Sequence, residues 1–103
     1  MSQRLSMLEA MIAKGSMDPF AHYARAMELR GLARREEALA AFTELTARFP
    51  AYPPAYLMGG QLAAELGRTE VARAFLEPGI AAAQAAGDEH AESEMRSALG
   101  SLA

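Results

Sequence analysis

The 103-residue chain contains no cysteine, which excludes disulfides, thiolate nucleophiles and cysteine-ligated zinc or iron–sulfur centres. No stretch approaches the roughly 18–20 apolar residues of a membrane span. The longest alanine-rich run, Ile80 to Ala86, is interrupted by Gln84 and flanked by Gly87. The opening Met-Ser-Gln-Arg-Leu-Ser does not lead into the unbroken apolar stretch of a secretory signal, so a cytoplasmic protein is expected. A basic stripe is also missing. Of the net charge of −3, residues 88–103 account for all: Asp88, Glu89, Glu92 and Glu94 stand against Arg96 alone. Residues 1–87 are balanced, nine acidic against nine basic, and nothing in them would neutralise a row of phosphates. No nucleic acid and no membrane are therefore expected as partners. There is no glycine-rich phosphate loop and no nucleophile placed beside a base, so neither enzymatic activity nor a cofactor is expected.

What is present is an ordinary globular composition, 51% apolar and 22% charged, in a length suited to one domain with a modest core. Nine arginines to one lysine, with 24 alanines, is the usage of a GC-rich bacterial genome. The chain also repeats. Shifted by 34 residues, the segment from Pro19 overlays the segment from Pro53. His22 then meets Tyr56, Ala26 meets Gly60, Ala33 meets Gly67, Arg34 meets Arg68, Ala38 meets Ala72, Phe42 meets Leu76 and Leu45 meets Gly79.

Each copy reads as two helices. Asp18-Pro19 is a helix start, Asp to cap free amides and Pro at the first helical position. Phe20, Tyr23, Ala24, Met27 and Leu32 then recur at helical spacing to about Gly31. Glu36 and Glu37 complement the dipole at the start of a second helix, whose apolar face is Ala38, Leu39, Phe42, Leu45 and Phe49 and which Pro50 stops. Pro53-Pro54 opens the third helix, Gly67 closes it at the left-handed position, and Thr69 is expected to cap the fourth. Leu5, Leu8, Met11 and Ile12 form an apolar stripe over residues 3–14, in phase as the second helix of a unit whose first helix is absent. Beyond Gly87-Asp88, Ala91, Met95, Ala98, Leu99 and Leu102 make one face of a last helix, with Glu89, Glu92 and Arg96 facing water. The layout is thus an N-terminal half unit (3–14), two full units (19–52 and 53–86) and a polar cap (88–102). Pro78 falls inside the second helix of the second unit and is expected to bend or break it near Glu77.

The arrangement resembles that of the tetratricopeptide repeat proteins. Their pattern runs aromatic–x2–Leu-Gly–x2–Tyr, then Gly, then Ala–x3–Phe, then Pro. The second unit carries Tyr56, Gly60, Gly67, Ala72 and Leu76; the first carries Ala26, Ala38, Phe42 and Pro50. Gly59 and Arg25 stand where Leu is usual, Ala33 replaces the turn glycine, and Gly79 with Gln84 replace the closing Ala and Pro. The resemblance implies an all-α solenoid of about six antiparallel helices with no catalytic centre. It implies a concave groove, built by the first helices, that receives a peptide or helix of a partner protein. Its residues would be Phe20, Tyr23, Met27 and Arg30 from the first unit and Leu57, Gln61, Ala64 and Glu65 from the second. The alternative for Phe20, Tyr23 and Met27 is burial in the core. The Lys, Asn and Arg clamp that some relatives use on a partner's terminal carboxylate is absent, its positions being held by Tyr23, Met27, Leu57, Met58 and Gln61.

Other features carry less. Pro53-Pro54-Ala55-Tyr56 matches a polyproline recognition motif, but Tyr56 is also the repeat's aromatic position. His90 and Glu94 lie one helical turn apart, a spacing for two metal ligands, yet no third accompanies them and no metal is expected. Stacking faces left open at the two ends make a homodimer, or a structural homo-oligomerising role, the alternative to peptide binding. The acidic final helix leans against end-to-end stacking.

Overall fold

The computed structural model describes residues 2–102. They form six helices: α1 (Gln3–Ala13), α2 (Pro19–Gly31), α3 (Arg35–Arg48), α4 (Pro53–Glu65), α5 (Thr69–Ala86) and α6 (Glu89–Gly100). Local chemistry sets most of the boundaries. The Ser2 side chain accepts the Leu5 amide at 3.0 Å, Asp18 that of Phe20 at 3.0 Å, and Asp88 that of Ala91 at 3.0 Å. Thr69 does not cap α5; it is the first helical residue, the N-cap is Arg68, and no side chain caps that end. Glu70 in the first turn complements the dipole instead.

Four of the helices end at residues in the left-handed region. Gly15, Gly67 and Gly87 take φ values of +88°, +73° and +70° after α1, α4 and α5. After α2 the same turn falls to Ala33, at φ +61°, where a Cβ makes the conformation costly.

Pro78 does not break its helix, because α5 runs unbroken from Thr69 to Ala86. The proline sits on the solvent side, while Phe75, Leu76, Gly79 and Ala83 are buried against neighbours on either side of it and anchor both halves.

Each helix packs on the next in sequence, and α6 also reaches back to α4. A first cluster joins Leu5, Ala26, Leu29, Phe42, Leu45, Leu62 and Phe75 across α1 to α5. A second joins Tyr56, Leu76, Ala83, Ala91 and Met95, and Leu102 packs against both. On α6 the half-buried Ala98 and Leu99 complete the inner face. On α1 only Leu5 and Leu8 are buried. Met11, expected in that stripe, is 45% exposed, since α1 packs mainly on α2 and nothing described covers its outer side.

α4 and α5 approach each other closely, and glycine permits it. A Cβ on Gly60 would lie 2.6 Å from Cδ2 of Leu76, and one on Gly59 would lie 2.7 Å from Cε1 of Phe75. On Gly79 it would strike Cβ of Tyr56 and lie 2.5 Å from Sδ of Met95. Helix propensity alone favours Gly79→Ala by roughly 1 kcal/mol, but Tyr56 Cβ is anchored to its backbone and cannot swing away. Overpacking of about 1–3 kcal/mol therefore prevails, and Gly79→Ala is expected to lower the urea midpoint. Ala33→Gly is expected to raise it, by roughly 0.5–1 kcal/mol of stability, because only the positive-φ strain is removed.

Candidate functional site

On α2, Phe20, Tyr23, Met27 and Arg30 are spaced three, four and three residues apart and so share one face. That face remains partly open although its side chains are large and apolar. Phe20 is 59% exposed and not part of the core. Tyr23 is half-buried, its ring edge-on to Phe42 of α3 at 6.3 Å and to Tyr52, just before α4, at 5.7 Å. Met27 is half-buried against the first core cluster. Neither core nor free surface describes Tyr23 and Met27: one side of each packs inward and the other stays open.

On α4, Leu57 and Gln61 are half-buried, Leu57 against the second cluster, while Ala64 and Glu65 are exposed. Arg30 donates to Oε2 of Glu65 at 2.9 Å. The two charged residues expected to offer polar edges to a partner are thus brought together, and they tie α2 to α4 across the open face.

Tyr52 was not among the expected residues. One register earlier stands Asp18, so the repeat offers no signal for an aromatic there. Its contact with Tyr23 exists only because the α3–α4 connection is packed beside the α2 stripe. Tyr56 donates its hydroxyl to the Pro50 carbonyl at 2.8 Å, whereas those of Tyr23 and Tyr52 make no hydrogen bond among the described residues. Since no buried side-chain polar atom lacks a partner, both hydroxyls reach solvent.

The remaining motifs are occupied structurally. His22 packs its ring 5.2 Å from that of Phe49, with Nε2 3.1 Å from the Ser16 carbonyl oxygen. Tyr56, 7% exposed in a helix, is not displayed as a polyproline ligand. Glu36 accepts a bidentate pair from Arg68 at 2.8 and 2.6 Å, and Glu37 accepts from Arg34 at 2.5 Å, so the two carboxylates do not face each other. Among the described residues no three His, Cys, Asp or Glu side chains gather as metal ligands, and no helix is long and apolar enough to cross a membrane.

Burial raises the pKa of Tyr23, opposed by the charge of Arg30. Burial raises that of Tyr52 too, reinforced by Tyr23 and Asp18. A phenol with a folded pKa above its unfolded value near 10 stabilises the native state fully below that pH. The contribution disappears as pH rises through the folded pKa. The urea midpoint is therefore expected to hold from pH 8 to about 10 and to fall above it, with a smaller fall in Tyr23→Phe.

The fold has close counterparts among solved structures. A tetratricopeptide repeat domain protein from Salinibacter ruber, solved both in a crystal and in solution, superposes with a TM-score of 0.78 at 34% identity. The match covers 82% of this chain and 96% of the crystallised one, or 86% of the one in solution. The solution structure of a Bordetella parapertussis protein matches with a TM-score of 0.78 at 26% identity, over 99% of this chain and 89% of its own. No family model and no curated protein matches the sequence. Helical hairpins repeating every 34 residues, and one third identity to a tetratricopeptide repeat domain over nearly its whole length, show that this chain belongs to the tetratricopeptide repeat family.

Proposed function

We propose that this protein is a non-enzymatic interaction module of the cytoplasm whose α2–α4 face binds a peptide or helix of a partner protein. In this reading residues 19–52 and 53–86 are the two full units, and residues 3–14 and 88–102 flank them. The observation that supports it best is the Tyr23–Tyr52 pair. Two aromatic rings stand edge-on and half-buried, with both hydroxyls free for a partner's backbone. Amphipathic rings of this kind supply contact area with little loss of side-chain freedom. Phe20 offers an exposed apolar anchor at one end, and Met27, Leu57, Gln61 and Ala64 provide an adaptable floor. At the other end Arg30 and Glu65 neutralise each other, so the face has little net charge and suits an apolar segment better than a strongly charged one.

Random peptides displayed on phage, selected on the full chain and then titrated by NMR, test this reading. Shifts are expected at Tyr23, Met27, Leu57 and Gln61. Phe20→Ala, at an exposed position, is expected to leave the urea midpoint unchanged yet weaken binding about tenfold. Leu57→Ala is expected to weaken binding similarly and, because Leu57 packs on the second cluster, to lower the midpoint as well. Shifts confined to α3, α5 or α6 would reject the α2–α4 face. A molar mass by light scattering that doubles with concentration, with the α2–α4 resonances broadened, would replace the partner by a second copy.

A further inference from the structure

The 34-residue register gives α1 a counterpart for each of its residues in α3 and α5. Met7 corresponds to Ala41 and Phe75, Leu8 to Phe42 and Leu76, and Met11 to Leu45 and Gly79. Each of these counterparts is buried. In α5 the preceding helix packs on all three, with Met95 of α6 also reaching Gly79. Gly59 and Gly60 of α4 lie against Phe75 and Leu76, and Gly79 lies against Tyr56 of α4. On α1, by contrast, Met7 is 64% and Met11 45% exposed. No described element occupies the place that α4 takes on α5.

Charge narrows what fits there. On a helical wheel Arg4, Met7, Met11 and Lys14 fall on one face, spaced three, four and three residues apart. It is an apolar pair with a cation at either end. The Arg4 side chain is 66% exposed and only loosely drawn to Glu28, at 3.6 Å; Lys14 is exposed. Arg4 also stands where α3 and α5 have the buried Ala38 and Ala72, so an occupant must meet a guanidinium there rather than pack closely. A second copy of α1 fails on charge. Antiparallel pairing sets Arg4 against Lys14 at both ends, and parallel pairing sets like residue against like. The outer face of α6, with Glu89, His90, Ser93, Glu94 and Ser97 exposed, lacks the apolar stripe needed to cover two methionines.

We propose that the outer face of α1 docks an amphipathic helix of a partner protein, seated on Met7 and Met11 as α4 is seated on α5. Acidic residues at both ends of its apolar stripe would meet Arg4 and Lys14. This surface lies apart from the α2–α4 face and does not depend on that reading. Methionine suits the task because its unbranched thioether adapts to differently shaped partners.

The probe is a synthetic alanine-based helix of about 16 residues, long enough for four turns. It carries a leucine stripe flanked by glutamates, and a comparator has lysines in their place. Titrated into the full chain, the glutamate peptide is expected to shift the amides of Met7, Met11 and Lys14 and to leave those of Tyr23 and Leu57 in place. The lysine comparator is expected to bind about tenfold more weakly, since two exposed ion pairs become two repulsions. Met7→Glu/Met11→Glu, at exposed positions, is expected to keep the urea midpoint and abolish binding. Equal affinity for both peptides, or shifts that bypass α1, would overturn the proposal. So would a concentration-dependent doubling of mass that this double substitution abolishes, because it would assign the face to a second copy.

Discussion

The packing of α4 on α5 constrains the rest of the molecule. Dispersion and burial reward atoms in contact, and side chains normally hold two helices 8–10 Å apart. Here Gly59 and Gly60 on one helix and Gly79 on the other remove the Cβ atoms that would enforce that spacing. Leu76 and Phe75 then fill the space against α4 backbone, and Met95 of α6 reaches Gly79 in the same layer. Because α4 and α6 both lean on α5, the orientation of that one helix determines where the second core cluster forms. It also explains how α5 tolerates an internal proline. The helix is clamped on its buried side through Phe75, Leu76, Gly79 and Ala83, and the lost hydrogen bond falls on the solvent side.

Around that core the surface charges act as ties between elements rather than as a source of stability. Ser2 and Arg4 meet Glu28, Arg25 meets Glu9, Arg30 meets Glu65 and Arg68 meets Glu36, and each pair joins two different segments. Exposed ion pairs contribute little to folding free energy, so their effect is on register and orientation. One bears on the proposed binding face. By neutralising each other, Arg30 and Glu65 leave the face between α2 and α4 governed by aromatic and aliphatic side chains. The two ends of the stack differ in kind. At one end α6 covers the core with Ala91 and Met95 and turns polar side chains outward; at the other α1 leaves two methionines uncovered.

Most of the architecture was legible in the residues. The 34-residue overlay, the Asp18-Pro19 and Pro53-Pro54 starts and the left-handed Gly67 and Gly87 set the helices within a residue or two of where they lie. These signals are local: a cap, a ring that presets φ or a missing Cβ acts over one turn. The misses came where tertiary packing overrules a local rule. Pro78 reads as a bend or a break, and the continuous helix excludes the break because the buried face is held on the far side. Met11 reads as core from its spacing, but spacing names a stripe without saying whether another helix covers it. Tyr52 left no mark because it does not repeat, and its role beside Tyr23 comes from a connection folded back on α2.

The candidate face divides in the same way. Residue types at helical spacing placed Phe20, Tyr23, Met27 and Arg30 on one side of α2, since a helix's period is a property of the chain alone. How far each is open, the pairing of Arg30 with Glu65 and the two tyrosine hydroxyls left without a partner among the described residues were decided only when separate helices met. The sequence by itself determined six amphipathic helices, their order and their repeat. The tertiary structure decided which apolar faces are covered, because burial depends on a second element whose distance and angle no local pattern encodes.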